Sequence, residues 1–176
     1  MQMAAQGGVI TALDISASRM ERVAENLART QLAAELVVAN ILEWQDPQQF
    51  DAVLLDAPCS ATGTIRRHPD LPFAKDGTGI SELIEIQKQM LNATAGRVKP
   101  GGKLVFCTCS LIPDEGEVQA ENFLRSHKDF TVDTGLPQAM DPAWRTEDGG
   151  FRLRPDYWSE LGGMDGFYLI RMNRRG

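Results

Sequence analysis

The chain has 176 residues, of which 43% are hydrophobic and 24% charged, and this length suits one domain or at most two. Its 24 acidic and 18 basic residues give a net charge of −6, so the chain alone is poorly suited to bind a polyanion such as nucleic acid. No apolar run approaches the roughly 18 residues of a membrane span, and the start MQMAAQGG lacks the pattern of a signal peptide. We therefore expect one domain over residues 1–176 and no membrane partner.

Short apolar runs alternate with helical stretches along the chain. The predicted strands cover residues 9–13, 36–38, 52–55, 103–108 and 166–172. Ser18 and Glu21 have the spacing of a capping box and predict a helix after the first strand. A second helix is expected after residue 79, where Gln87 interrupts the apolar stripe, then a turn at residues 99–102, and a third helix near residue 114. This alternation predicts a parallel α/β sheet.

Polar or reactive side chains follow three of the predicted strands: Asp14, then Asp56 with Cys59, then Cys109. In open parallel sheets, ligands bind beyond the carboxyl ends of the strands. Asp14 either accepts hydrogen bonds from the ribose of a nucleoside cofactor or serves as a turn residue before the helix. Pro58 cannot continue a central strand, so the chain must turn there and leave Asp56 and Cys59 at the lip of the sheet.

The sequence has three cysteines, Cys59, Cys107 and Cys109. An odd number that includes a Cys-x-Cys pair does not indicate a disulfide framework. Without an export signal we expect reduced thiols in a cytoplasmic protein. Cys107 and Cys109 share one face of their strand, and we assign exposed chemistry to Cys109 and packing to Cys107. An exposed thiol can act as a nucleophile, whereas most buried cysteines are inert. A zinc site of the three cysteines with His68 is the alternative, although two ligands two residues apart on a strand fit a tetrahedron poorly.

A basic cluster, Arg66-Arg67-His68, follows the Cys59 segment closely in sequence. These residues could hold the phosphates or a base of a nucleic acid. The alternative is an ordinary solvated loop, in which His68 caps its own loop instead of acting as a general base.

Two segments of the chain resemble the RNA cytosine-5 methyltransferases of the Sun (RsmB-type, Fmu) family. They are LLDAPCSATGTIRRHPD and KPGGKLVFCTCSLIPDEGE, and the closing DGFYLIRMNRRG is similar to the last strand of that family. The two cysteine motifs are much more specific together than either is alone, and the resemblance covers nearly the whole chain. It implies an α/β, Rossmann-like class I methyltransferase fold with helices on both faces of the sheet, S-adenosylmethionine as cofactor, and RNA, in particular rRNA, as substrate.

The resemblance also implies a role for each motif residue. Cys109 would be the nucleophile that adds to carbon 6 of a cytosine, which makes carbon 5 electron-rich enough to take a methyl group. Asp56 would contact the ring nitrogen and amino edge of the base and stabilise the developing charge. Cys59 would assist loss of the proton from the methylated carbon and release of the RNA. The base must leave its stack to reach this pocket. Cofactor contacts would come from Asp14, Asn40, Asp56 and Pro58, and RNA contacts from Arg66, Arg67 and His68.

The chain departs from the family pattern at its start. Family members carry a glycine-rich cofactor loop of the form A-P-G-G-K after a first strand, and this sequence has neither. Residues 1–6 resemble the end of the helix that should follow that loop. We therefore expect a sheet without its first strand, which would lie between the strands ending at Asp14 and at Asp56. Open sheet edges would favour self-association.

Two further differences bear on function. Asn40 stands where the family usually has a carboxylate on the adenine side of the cofactor, and an N-terminal RNA-binding domain of the RsmB type is absent from the sequence. Two hypotheses follow for this chain. It is a methyltransferase catalytic domain, or it is a non-catalytic remnant that keeps the sheet and cannot bind the cofactor.

Overall fold

The structure is a computed structural model that describes residues 2–74, 76–138 and 140–176. The chain divides into two compact units, of which the first ends at Asp46 and the second runs from Pro47 to Gly176. The expectation that residues 1–176 form one domain stays a prediction. Among the described residues, no helix is both long enough and apolar enough to cross a membrane.

The first unit contains a two-stranded parallel sheet and two helices. Its elements are α1 (Gln2–Ala5), β1 (Thr11–Asp14), α2 (Ala17–Thr30) and β2 (Glu35–Val38). After α1, Gly7 adopts a φ of +85°, and the N–H of Gly8 donates to the carbonyl of Met3. This geometry is a common helix termination. Met1 lies outside the described residues.

The start of α2 differs from the sequence-based prediction. The helix is capped by Ser16, whose hydroxyl accepts a hydrogen bond from the N–H of Arg19 at 3.3 Å. The proposed Ser18–Glu21 capping box is wrong, because the chain turns as soon as β1 ends. The carboxylate of Asp14 accepts the N–H of Ser16 at 2.7 Å, so the helix begins two residues earlier than its capping pattern indicates.

The second unit contains the larger sheet. Its strands are β3 (Phe50–Asp56), β4 (Val98–Thr108), β5 (Phe130–Val132), β6 (Phe151–Leu153) and β7 (Phe167–Arg174). Its α-helices are α3 (Leu71–Ala74), α4 (Ile80–Ala95) and α5 (Glu117–Ser126). Short 3-10 helices cover Thr62–Thr64, Pro113–Glu115, Pro142–Trp144 and Ser159–Leu161.

The strand order of this sheet is β3-β4-β7-β5, with β6 also paired to β7. β3 and β4 are parallel, but β7 is antiparallel to β4, β5 and β6. The expectation of an all-parallel sheet is therefore wrong for this half. The chain enters β7 beside the end of β4, where Tyr168 pairs with Thr108, so β7 has to run back along β4. β5 and β6 have three residues each, which is too short to show strand periodicity.

The predicted turn at residues 99–102 lies inside β4 as a bulge. Phe50 pairs with Val98 and Ala52 with Lys103, so β4 advances five residues while β3 advances two. Gly101 has a φ of +78°, which only glycine adopts easily. Residues 99–102 of β4 therefore leave the ladder with β3, and the pairing resumes at Lys103.

The core of the second unit lies between its central strands and the packed helices. Leu104, Phe106, Ile170 and Met172 on β4 and β7 are fully buried, and Leu91 of α4 packs in the same cluster. Alternate side chains of a strand face the same side of the sheet. Leu104 and Phe106 face the core, so the odd-numbered residues between and after them, including Cys107, face the opposite side. The strand that supplies the core therefore also fixes where the sulfur at 107 lies.

We expect Leu104→Ala to lower the free energy of unfolding by about 2–5 kcal/mol, because it leaves a cavity among fully buried side chains. Leu161→Ala is the matched control, because the same side chain is 75% exposed there and should change stability by less than about 0.5 kcal/mol. Urea unfolding of both variants measures the difference. Equal losses would contradict the assignment of the core.

Candidate active site

The segment that carries Asp56 and Cys59 turns away from the sheet where β3 ends. The N–H of Ala57 donates to the carbonyl of Cys107 at 3.1 Å and continues the ladder for one residue beyond the strand. Pro58 has no N–H, so the ladder cannot continue there. Asp56 is exposed at this edge, as predicted from the sequence, whereas Cys59, which was expected to be exposed as well, is partly buried in the turn. Pro58 between them is exposed.

Cys109 is the first residue after β4, and its Sγ lies 3.4 Å from the Sγ of Cys59. The Sγ of Cys107 lies 3.7 Å from Oδ1 of Asp56. All three cysteines are free thiols and partly exposed. The structure thus brings together the aspartate and both cysteines that the sequence placed at the ends of two neighbouring strands.

The two facing thiols ionise differently. A hydrogen bond from Cys59 lowers the pKa of Cys109 to about 7, against the opposing effects of burial and of the Asp56 charge. The same hydrogen bond, together with burial, raises the pKa of Cys59. Burial, and then the charge of Asp56, raises the pKa of Cys107 to about 12. Near neutral pH the thiolate therefore forms on Cys109, and Cys107 stays protonated.

A buried carboxylate connects the two cysteine segments. Glu115 is 0% exposed and accepts hydrogen bonds from the N–H of Ser60 at 2.9 Å, from the Ser60 hydroxyl and from the Ser110 hydroxyl at 2.6 Å. Gln87, also 0% exposed, donates its amide to Oε1 of Glu115 at 3.0 Å and to the carbonyl of Pro58 at 2.9 Å. One polar network therefore holds the residues on both sides of Cys59 and the residue after Cys109.

Sequence reasoning missed this network. Its one available signal was Gln87, a polar residue in the apolar stripe of α4, since buried amides are nearly always hydrogen-bonded. Glu115 gave no such signal, because a carboxylate next to a predicted helix start usually faces solvent. Ser60 and Ser110 follow the cysteines in the two motifs. Nothing in the sequence distinguishes them from ordinary loop serines, and only the folded structure shows that they are buried and bonded to Glu115.

A backbone contact holds the 3-10 helix Thr62–Thr64 beside Cys109. The N–H of Gly63 donates to the carbonyl of Cys109 at 3.0 Å, and the N–H of Gly166 donates to the carbonyl of Gly63 at 2.7 Å. A Cβ on Gly63 would lie 2.0 Å from the carbonyl oxygen of Gly166, so no other residue fits there. The loop with the basic cluster therefore begins next to the thiol pair.

The predicted RNA contacts Arg66 and Arg67 both face Asp165. Arg67 forms an ion pair with it at 2.5 Å, and Arg66 lies 3.6 Å from its other oxygen. Both guanidinium groups remain about half exposed, and His68 is exposed on the same turn. The cluster keeps a net positive charge, but Asp165 neutralises part of it.

The predicted cofactor residues Asp14 and Asn40 lie in the first unit, at the carboxyl edge of its parallel sheet. Oδ1 of Asp14 accepts from the N–H of Ser16 and from the guanidinium of Arg19 at 2.7 Å. Within the part of the chain that the structure describes, no donor reaches Oδ2. Oδ1 of Asn40 accepts the N–H of Leu42 at 3.1 Å, which leaves its amide group for a ligand. No group of three metal-ligating side chains forms among the described residues.

The chain is similar to known methyltransferases. A family model described as 16S rRNA methyltransferase RsmB/F matches residues 1–173. The ribosomal RNA small subunit methyltransferase B of Shewanella oneidensis is 42% identical over 166 residues. That match covers 93% of this chain and 37% of the relative, so the chain spans little more than a third of the relative's length.

Two solved structures have the same fold. A methyltransferase homologue from Pyrococcus horikoshii is 29% identical with a TM-score of 0.71, over 95% of this chain and 53% of that one. NSun6 from Pyrococcus horikoshii is 24% identical with a TM-score of 0.81, over 96% of this chain and 42% of that one. They confirm the predicted α/β, class I methyltransferase fold. By the extent of these matches, the chain belongs to the RsmB/F family of 16S rRNA methyltransferases.

Proposed function

We propose that this chain is the catalytic part of an enzyme that transfers a methyl group from S-adenosylmethionine to carbon 5 of a cytosine in RNA. The observation that carries the proposal is the 3.4 Å contact between the sulfurs of Cys59 and Cys109 at the ends of neighbouring strands. The relatives named as rRNA methyltransferases support RNA as the substrate. Chemistry through a cysteine adduct is our inference from the site.

Cys109 acts as the nucleophile in this mechanism. Its pKa of about 7 provides thiolate at neutral pH, whereas an ordinary thiol with a pKa near 8.5 is only a few per cent ionised. The thiolate forms a bond to carbon 6 of the cytosine, and the electrons of the double bond between carbons 5 and 6 move to carbon 5 and, through carbon 4, to ring nitrogen 3. S-adenosylmethionine, when bound, supplies the methyl group to carbon 5.

Asp56 recognises the base and stabilises the charge that develops on it. Its exposed carboxylate stands 3.7 Å from the sulfur of Cys107, and its charge opposes the lowering of the Cys109 pKa by the Cys59 hydrogen bond. The two oxygens of a carboxylate can accept hydrogen bonds from the amino group and from the ring nitrogen of cytosine when that nitrogen shares a proton with the carboxylate. This contact favours cytosine over uracil, because only cytosine presents an amino group at that edge.

Cys59 completes the reaction by removing a proton from the methylated carbon. Before addition, its hydrogen bond to Cys109 is the main cause of its raised pKa. Once Cys109 is bonded to carbon 6, that sulfur no longer holds the thiolate charge, and this cause disappears. Cys59 can then lose its own proton to solvent, and its thiolate accepts the carbon 5 proton. The electrons of that carbon–hydrogen bond restore the ring double bond, and Cys109 leaves carbon 6 as a thiolate.

Two side chains of the first unit suit the ribose and the base of a nucleoside cofactor. Oδ2 of Asp14 can accept hydrogen bonds from a ribose, and the amide of Asn40 can bond to a base edge. Both lie past the carboxyl ends of adjacent parallel strands, where such ligands bind. Asp56 and Pro58 stay predicted cofactor contacts as well.

The exposed Arg66, Arg67 and His68 are proposed to contact RNA phosphates, with Asp165 limiting how strongly they attract them. We also propose that copies of the chain pair along β3, which in the described residues has a strand partner on one edge only, β4. The acidic net charge of −6 predicts that other parts of the protein contribute to RNA affinity.

Cys59→Ala should trap the covalent complex, because addition still occurs while proton removal and release fail. We expect a band that survives denaturing electrophoresis when this variant is incubated with rRNA and S-adenosylmethionine at mildly alkaline pH. Cys109→Ala should give no band and no methyl transfer. Cys107→Ala is the matched control and should leave methyl transfer within about twofold of the unsubstituted chain. Trapping by Cys109→Ala instead would reverse the two assignments.

The pH dependence of alkylation tests the thiol assignment without RNA. Because the pKa of Cys109 is lowered to about 7, thiolate predominates above that pH, and reaction with iodoacetamide should reach half its maximal rate there. In Cys59→Ala the stabilising hydrogen bond is lost, and the midpoint should rise toward an ordinary thiol value near 8.5. Mass spectrometry of the Cys109 peptide measures the rate. A midpoint that does not move would argue against the sulfur–sulfur hydrogen bond.

Calorimetric titration with S-adenosylmethionine separates an enzyme from a non-catalytic remnant. We expect micromolar binding that weakens about tenfold in Asp14→Ala, because a ribose hydroxyl loses its acceptor. Glu21→Ala on the exposed face of α2 is the matched control and should bind normally. Absence of binding at millimolar cofactor would favour the remnant.

A further inference from the structure

Glu115 contacts the residue that directly follows each of the two facing cysteines. Its carboxylate accepts hydrogen bonds from Ser60, which follows Cys59, and from Ser110, which follows Cys109. We propose that Glu115 is a positioning residue that fixes the contact between the sulfurs of Cys59 and Cys109. The catalytic meaning of this inference rests on the proposed function, whereas the contact itself is a property of the folded chain.

The Ser60 side of the contact fixes the backbone as well as a side chain. Both the N–H and the hydroxyl of Ser60 donate to Glu115, the former at 2.9 Å. A carboxylate that holds the amide of the residue after Cys59 also fixes the peptide plane joining the two residues. The direction in which the Cys59 side chain leaves the backbone is therefore constrained.

Gln87 fixes the other side of Cys59. Its amide donates to the carbonyl of Pro58 and also to Glu115, at 2.9 and 3.0 Å. Gln87 itself is in contact with Gln119, whose amide lies 3.5 Å from its oxygen. The cysteine is therefore held through both neighbours by side chains from α4 and from the 3-10 helix Pro113–Glu115.

Ser110 extends the same constraint to Cys109. Its hydroxyl donates to Glu115 at 2.6 Å and accepts the N–H of Ile112 at 3.0 Å. Ser60, Ser110 and Glu115 are all at most 4% exposed, so none of these groups can exchange its partner for bulk water. The network therefore holds one arrangement of the two cysteine segments.

A direct electrostatic effect of Glu115 would have the opposite sign to a positioning effect. A nearby negative charge disfavours a thiolate, so removing it would lower the pKa of Cys109. A positioning effect works through the Cys59 hydrogen bond, which lowers the pKa of Cys109, so disturbing it would raise that pKa. The direction of the change therefore distinguishes the two explanations.

Glu115→Gln is the test variant. Glutamine offers one acceptor oxygen in place of two, and its NH₂ group would face the groups that now donate to Glu115. In the full 176-residue chain, without cofactor or RNA, we expect the alkylation midpoint of Cys109 to rise from about 7 and the rate at neutral pH to fall about tenfold. Iodoacetamide labelling across the neutral range, read by mass spectrometry of the Cys109 peptide, gives both values.

Asp114→Asn is the matched control, because it makes the same chemical change one residue earlier on an exposed side chain of the same 3-10 helix. Its midpoint should equal that of the unsubstituted chain. An unchanged or lowered midpoint in a folded Glu115→Gln variant would overturn the proposal. If circular dichroism shows that this variant does not fold, Ser110→Ala replaces it. That change removes one hydrogen bond and should raise the midpoint by a smaller amount, and no rise would again overturn the proposal.

The outcome is independent of the proposed function. A raised midpoint without any methyl transfer by the unsubstituted chain would support the positioning role and contradict the enzyme assignment. Methyl transfer with an unchanged midpoint in Glu115→Gln would support the enzyme and contradict the positioning role.

Discussion

The chemistry that we propose for this chain depends on one hydrogen bond between two thiols. A thiol is a weak donor, and it affects its neighbour strongly here because the two sulfurs are 3.4 Å apart and partly shielded from water. That contact gives the two cysteines different properties although their side chains are identical. Cys109 becomes the easily ionised group and Cys59 the one that keeps its proton. In the proposed mechanism, this asymmetry makes Cys109 the nucleophile and Cys59 the base.

The contact is possible because two parallel strands end at the same edge of the sheet. β3 is stopped by Pro58, and β4 ends one residue before Cys109, so two segments that are fifty positions apart in the sequence meet. Parallel pairing over Ala52–Asp56 and Lys103–Cys107 sets the register, and a slip of one residue would direct one sulfur to the opposite face. The register that buries Leu104 and Phe106 therefore also aligns the reactive groups.

Much of this arrangement could be predicted from the sequence, and the limits have physical causes. The five longer strands were found because their apolar runs are distinct, and the meeting of Asp56, Cys59 and Cys109 followed from the rule that ligands bind past strand ends. The antiparallel direction of β7 depends on where a long irregular segment returns to the sheet, which no local pattern encodes. The role of Glu115 could not be predicted either, since its burial depends on donors from Ser60 and Gln87, which are 55 and 28 positions away, as well as on the nearby Ser110.

Partial neutralisation of Arg66 and Arg67 by Asp165 was also outside the reach of sequence reasoning, because ninety-eight positions separate Arg67 from its partner. An ion pair at an exposed site is weak, so an incoming phosphate can compete for the same guanidinium groups. The loop therefore has a defined shape, and its guanidinium groups can still offer positive charge to the RNA that we propose as substrate.

The close approach of Gly63 and Gly166 has a consequence for how variants of this protein are interpreted. Two backbones touch there without side chains between them, so any substitution at Gly63 would push apart the loop and β7 beside the reactive sulfur. In a saturation-mutagenesis map, that glycine would score as severely as a chemically active residue although it has no functional group. Intolerance to substitution around this centre thus marks packing geometry as often as it marks reactivity.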